Sequence, residues 1–174
     1  MQYYLKLVIG SLLLSFTAAE ASTQNSPVQI SALCRDNTQC IFDGDDIVVD
    51  ITVANISDRP VGVPVEFIKK KGPVSVLQDQ ETGKEFMLRT GLPKSELMEQ
   101  FTQIPAGGSF TTQKTITAHE ISSLRGLNAD FTAKFTIGAS FKLNDRAKAV
   151  FLQVDTALHM IGKETAERRA RQHD

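Results

Sequence analysis

The sequence predicts an all-β protein, an immunoglobulin-like antiparallel β-sandwich of about seven to nine strands. Three observations predict it. Apolar and polar residues alternate at period two through much of the chain between Pro27 and Met160. Gly, Pro, Asn and Asp clusters punctuate that alternation at roughly 8–15-residue spacing. No long stretch carries the 3.6-residue stripe of an amphipathic helix.

The elements follow in order. PVQISAL places Val28, Ile30 and Ala32 on one face of a first strand. IFDGDD turns the chain at Asp43-Gly44. IVVDITVANIS sets Val49, Ile51 and Val53 against Asp50, Thr52 and Ala54. After the turn Ser57–Pro60, VGVPVEFI alternates again through Val61, Val63, Val65 and Phe67, so a strand is expected there, with Pro64 marking an edge or a bulge. KKKG, Lys69 to Gly72, reads as the solvated hairpin tip beyond it. VSVLQD is a strand, and ETGK makes a hairpin into EFMLRT. Residues 91–108 are the least regular part, where PKSELMEQF suits one or two helical turns. SFTTQKTIT, ADFTAKFTIGASF and AVFLQVDTALHM supply the remaining strands. Phe131, Phe135, Val49, Ile51, Val53 and Val65 are the expected core.

Residues 1–21 read as a secretory signal peptide. The apolar run LVIGSLLLSF is followed by Ala19-Glu20-Ala21, an A-x-A cleavage site. That run is too short to cross a bilayer, which takes roughly 20 residues. The expected organisation is therefore a signal peptide over 1–21, a β-sandwich over 22–161 and a charged flexible or helical tail over 162–174 with little packing. The expected location is secreted or periplasmic, with no membrane insertion after signal cleavage. Export makes the two cysteines informative: Cys34 and Cys40 flank a short polar turn, and an oxidising compartment favours their disulfide. With 19 basic and 20 acidic side chains the chain has no field to recruit nucleic acid, and no nucleic-acid partner is expected.

Candidate chemistry is sparse. His119-Glu120 in TAHEISSLRG resembles half of a zinc-protease H-E-x-x-H motif, but Ser123 stands where the second His belongs. The segment reads as a short helical link between strands. DGDD, Asp43 to Asp46, lacks the alternating oxygens and closing Glu of an EF-hand loop, so a polar turn explains it better than calcium. Asn55-Ile56-Ser57 is a glycosylation sequon, relevant only in a eukaryotic secretory pathway. His119 and His159 are distant in sequence, and neither needs the other. The expectation is a protein that is not an enzyme, with no catalytic residues, no cofactor and no metal.

VDITVANISDRPVGV, TGKEFMLRTGLPK, IPAGGSF and TITAHEISSL run in the order of one known module. Asn55, Asp58 and Pro60 match its first strand and turn. Gly83, Phe86 and Gly91 match its hairpin, and Pro105, Gly107 and Ser109 its later turn. On these pieces the chain resembles the N-terminal propeptide region of secreted deuterolysin-like zinc metalloproteases. The resemblance covers roughly half of the chain, and a chain without the family's catalytic domain is expected. It implies a β-sandwich that covers a protease held on a separate chain. The expected function is an exported protein-binding module, a protease inhibitor or propeptide-like chaperone whose partner is a secreted zinc metalloprotease. Leu92, Leu97, Met98 and Phe101, on the irregular segment, are the expected partner-binding residues. The alternative is a structural or assembly module of the cell envelope that pairs through strand edges.

Overall fold

Alternation becomes burial with little distortion. The structure, a computed structural model, describes residues 26–36, 38–143 and 148–172. The signal peptide expected over 1–21 lies outside these residues. Among the described residues ten strands form: β1 (Val28–Cys34), β2 (Ile41–Phe42), β3 (Ile47–Asn55), β4 (Val61–Val63), β5 (Val74–Asp79), β6 (Glu85–Met87), β7 (Thr102–Ile104), β8 (Ser109–Ile116), β9 (Asp130–Phe141) and β10 (Val150–Gly162). β1, β3 and β9 bury every second residue without a break.

The strands make two principal sheets, ordered β1-β3-β8 and β2-β10-β9-β5-β6, and a small pair β4-β7. All pairings are antiparallel except β2 with β10. Gly62 and Lys142 exchange main-chain bonds of 2.8 and 2.9 Å, which ties β4 to the end of β9. The inward faces of both principal sheets feed one apolar core. Phe42, Phe131, Phe135 and Phe141 fill it in the absence of Trp. Each such ring contributes about 1.5–3 kcal/mol through burial. All six expected core residues are buried.

Three expectations are corrected. Only Val61–Val63 of VGVPVEFI is strand; the chain then enters a helix, α1 (Val65–Lys71). Pro64 cannot donate to a ladder but suits a helix start. Val65 and Ile68, one turn apart, then reach the core together with Phe67. Lys69, Lys70 and Lys71 are the last turn of α1 rather than a hairpin tip, where positive charge complements the helix dipole. The tail also packs. Gly162 starts α3 (Lys163–Ala170), which buries Thr165. Arg169 and the His159 ring share the Asp130 carboxylate, and Asn128 bonds both Glu164 and Arg168. A Cβ on Gly162 would overlap the Leu127 carbonyl, so only glycine permits this approach.

HEIS lies on α2 (Ala118–Ser122), with Ser123 capping its end, and its glutamate has a structural task. Thr117 Oγ1 accepts the Glu120 N–H at 3.2 Å, while Glu120 Oε2 accepts the Thr117 N–H at 2.8 Å. That is a reciprocal capping box. Asp46 Oδ1 accepts the N–H of Ala118 at 2.7 Å, so DGDD helps to seat the same helix.

Cys34 and Cys40 form a disulfide with a Cα–Cα distance of 5.5 Å. It closes the point where the chain leaves the three-stranded sheet at the end of β1 and joins the five-stranded sheet at β2. No helix among the described residues is long and apolar enough to cross a membrane.

Candidate functional site

The segment singled out by the sequence is held firmly at both ends. Leu88 is buried and gives its N–H to Ser75 O at 2.9 Å. Gly91 gives its N–H to Lys71 O at 2.8 Å. A side chain on Gly91 would strike the Lys70 carbonyl, so glycine lets the loop lie on the C-terminal end of α1. Pro93 restricts Leu92 to extended backbone. A 3-10 turn, Ser95–Glu99, follows and rests against α1.

This scaffold divides the four expected binding residues. Leu92 is 99% exposed, and Met98 is also exposed. Leu97 is half-buried against the core. Phe101 is half-buried beside Gly62, with the Lys142 ammonium 4.5 Å from its ring centroid. That cation–π contact suits a ring doing packing work. Leu92 and Met98 are therefore the presented pair, and Leu97 and Phe101 fasten the loop. The Arg89 carbonyl accepts from Lys114 Nζ at 2.6 Å, and burial holds that ammonium's pKa below its ordinary value.

The far flank is fixed by Asn55, which is only 2% exposed. Its Nδ2 lies within 3.1 Å of the carbonyls of Arg59, Ile104 and Pro105. Its Oδ1 accepts the N–H and hydroxyl of Ser57 at 3.0 and 2.7 Å. The sequon asparagine is thus a buried clasp joining the end of β3 to the strand that closes the loop.

At the opposite end an open cleft of about 610 Å³ lies between the disulfide turn and DGDD. Asp36, Asp43, Asp45 and Asp46 line it with Arg35. Arg35 is engaged by Asp50, whose carboxyl it holds below the usual range through their hydrogen bond. Among the described residues, no group of three or more His, Cys, Asp or Glu side chains is placed to hold a metal ion. His119 is exposed on α2, and His159 is committed to Asp130.

A feature that sequence reading missed is the outer edge of β10. Its inner edge pairs with β9 from Val150 to Ile161 in one unbroken register. Among the described residues, its outer edge meets β2 only at Ile161 and Gly162. Phe151, near its start, is 66% exposed. The run of alternating apolar residues was legible; which edge of the strand lacks a neighbour was not.

No family model matches the chain, and no curated protein matches it. Among solved structures, the X-ray structure of Northeast Structural Genomics Consortium target SoR45 is similar at 8% identity and a TM-score of 0.41, over 78% of this chain and 86% of its own.

Proposed function

We propose that the chain is an exported, non-enzymatic protein-binding module on an immunoglobulin-like β-sandwich, and that it acts on a secreted zinc metalloprotease. The strand order supports the sandwich reading. β1-β3-β8 against β2-β10-β9-β5-β6 corresponds to strands A-B-E against A′-G-F-C-C′ of that architecture. The protease target rests on the propeptide resemblance. The observation that carries the binding role is Leu92, an almost fully exposed leucine on a loop anchored by Leu88, Gly91 and Phe101. A preorganised apolar tip loses little entropy when it enters a pocket.

The test is capture. The chain is immobilised and exposed to secreted and periplasmic proteins of its source. Retention of a zinc protease, inhibited near stoichiometrically, is the expected result. Leu92→Asp with Met98→Asp should abolish it at unchanged thermal stability, because both side chains already face solvent. Full inhibition by that double variant would move the binding surface elsewhere.

A second reading, an envelope assembly module that pairs through strand edges, is favoured by one observation, the open edge of β10.

A further inference from the structure

β10 is hydrogen-bonded along one part of its outer edge and unpaired along the rest, and several inward side chains beside the unpaired part are incompletely buried. Next to the pairing with β2 at Ile161 and Gly162, the inward side chain of Met160 is 0% exposed. Where the edge is unpaired, the inward-facing Leu152, Thr156 and Leu158 are only half-buried, although Val154 between them and their neighbours across the ladder on β9 are buried. β1 packs beside β10 but belongs to the other sheet and does not bond to it.

The edge is also undefended. Natural sheets blunt such edges with lysine, proline, bulges or short strands. From Val150 to Ala157 this strand has neither lysine nor proline, and its only charge is Asp155. Its register with β9 contains no bulge. Ile161 gives its N–H to Cys40 O across this edge. Alternate residues share that direction, so Phe151, Gln153, Asp155 and Ala157 aim their main-chain groups the same way. Among the described residues, no strand receives them.

We propose that the bare edge of β10 pairs antiparallel with β10 of a second copy of this chain, about a two-fold axis at Val154. This deepens the assembly reading and is independent of the Leu92 loop. A two-fold axis perpendicular to the sheet keeps inward side chains opposite inward ones, which allows only registers centred on a residue. Centred on Asp155, the two carboxylates would face each other. Centred on Gln153, Asp155 would face the Phe151 ring. Centred on Val154, Gln153 faces Asp155 of the second copy, Phe151 faces Ala157, and the inward row reads Val150 on Leu158, Leu152 on Thr156 and Val154 on Val154. The Val150–Leu158 and Leu152–Thr156 pairs then cover side chains that the single copy leaves exposed or half-buried, and no like charges meet.

The test is sedimentation velocity on the full chain from about 1 to about 100 μM, with amide exchange of β10 at both ends of that range. The expected result is a concentration-dependent dimer with slowed exchange at Phe151, Gln153, Asp155 and Ala157. Gln153 is exposed, so its variants should fold. Gln153→Asp sets two carboxylate pairs against each other per dimer and should raise the dimer Kd roughly 2- to 30-fold, while Gln153→Lys should lower it by a similar factor. A dimer indifferent to both variants overturns the proposal, since its interface lies elsewhere. A monomer at every concentration also overturns it. If the β10 amides of that monomer gain protection when envelope proteins of the source are added, the assembly reading stands with a different chain as occupant.

Discussion

Replacing Asn55 by Asp exchanges an NH2 for an oxygen with almost no change in volume, yet it should rank among the most damaging substitutions in the chain. The Nδ2 amide has two N–H groups and three carbonyls within 3.1 Å, so two bonds form at a time. With the two bonds accepted from Ser57, four are at stake. At about 0.5–1.5 kcal/mol each, Asn55→Ala should cost about 2–6 kcal/mol. Asn55→Asp keeps the Ser57 bonds but turns an oxygen toward the carbonyls and buries an unpaired charge. A cost of about 3–5 kcal/mol is expected near neutral pH. Burial among carbonyls raises the folded pKa of that new carboxyl. The penalty is then full above the folded value and fades as pH falls through it, because a protonated carboxyl donates again. Urea unfolding at about pH 7 and about pH 4 measures both the cost and its recovery. A variant within about 0.5 kcal/mol of the native chain near neutral pH would refute the clasp.

Three further outcomes are expected. Removing the disulfide with Cys34→Ser and Cys40→Ser should cost about 2 kcal/mol in urea unfolding, since the ring it closes is short. A cost near zero would show that the crossing from β1 to β2 is fixed by packing alone. Asp79 is 5% exposed, and its carboxyl is held below the usual range by the Thr82 N–H and hydroxyl, Arg125 and the Glu81 N–H. It therefore stabilises the fold above the unfolded value near 3.9 and loses that contribution as pH falls through its lower folded value, so Asp79→Asn should flatten the acid limb of the stability curve. An unchanged acid limb would refute that assignment. Gly162→Ala should push α3 off the Leu127 carbonyl, speeding amide exchange across 163–170 while β9 stays protected; unchanged exchange would show that the approach has slack.

The central strands were legible because their signal is local. Val49, Ile51 and Val53, like Phe131 and Phe135, carry their inward face in their own spacing. Val65 and Phe67 carried the same spacing into the wrong element. A two-residue period and a single helical turn both place Val65 and Phe67 near the core, and Pro64 is compatible with either. The Thr117–Glu120 box was readable from T-x-x-E once the zinc motif was set aside. The clasp at Asn55 was not readable, because its carbonyl partners at Ile104 and Pro105 come from a distant strand. The docking of the tail depends on Asp130 and Asn128, equally remote from the arginines they hold. In the binding segment, Leu92 and Leu97 look alike as letters, and only the anchors at Gly91 and Phe101 separate the tip from the fastening.

The parallel pairing of Ile41 with Ile161 joins the beginning of the fold to its end. The strand between β2 and β9 is the last in chain order among the described residues, so a nascent chain cannot build the five-stranded sheet by adding neighbours in order. Until β10 arrives, one flank of Phe131 and Phe135 has no strand beside it, and β2 has nothing to pair with. The domain should remain loose and threadable through almost the whole of its synthesis and then close in a single late event. Truncation before Val150 should therefore abolish the native sheet rather than shorten it.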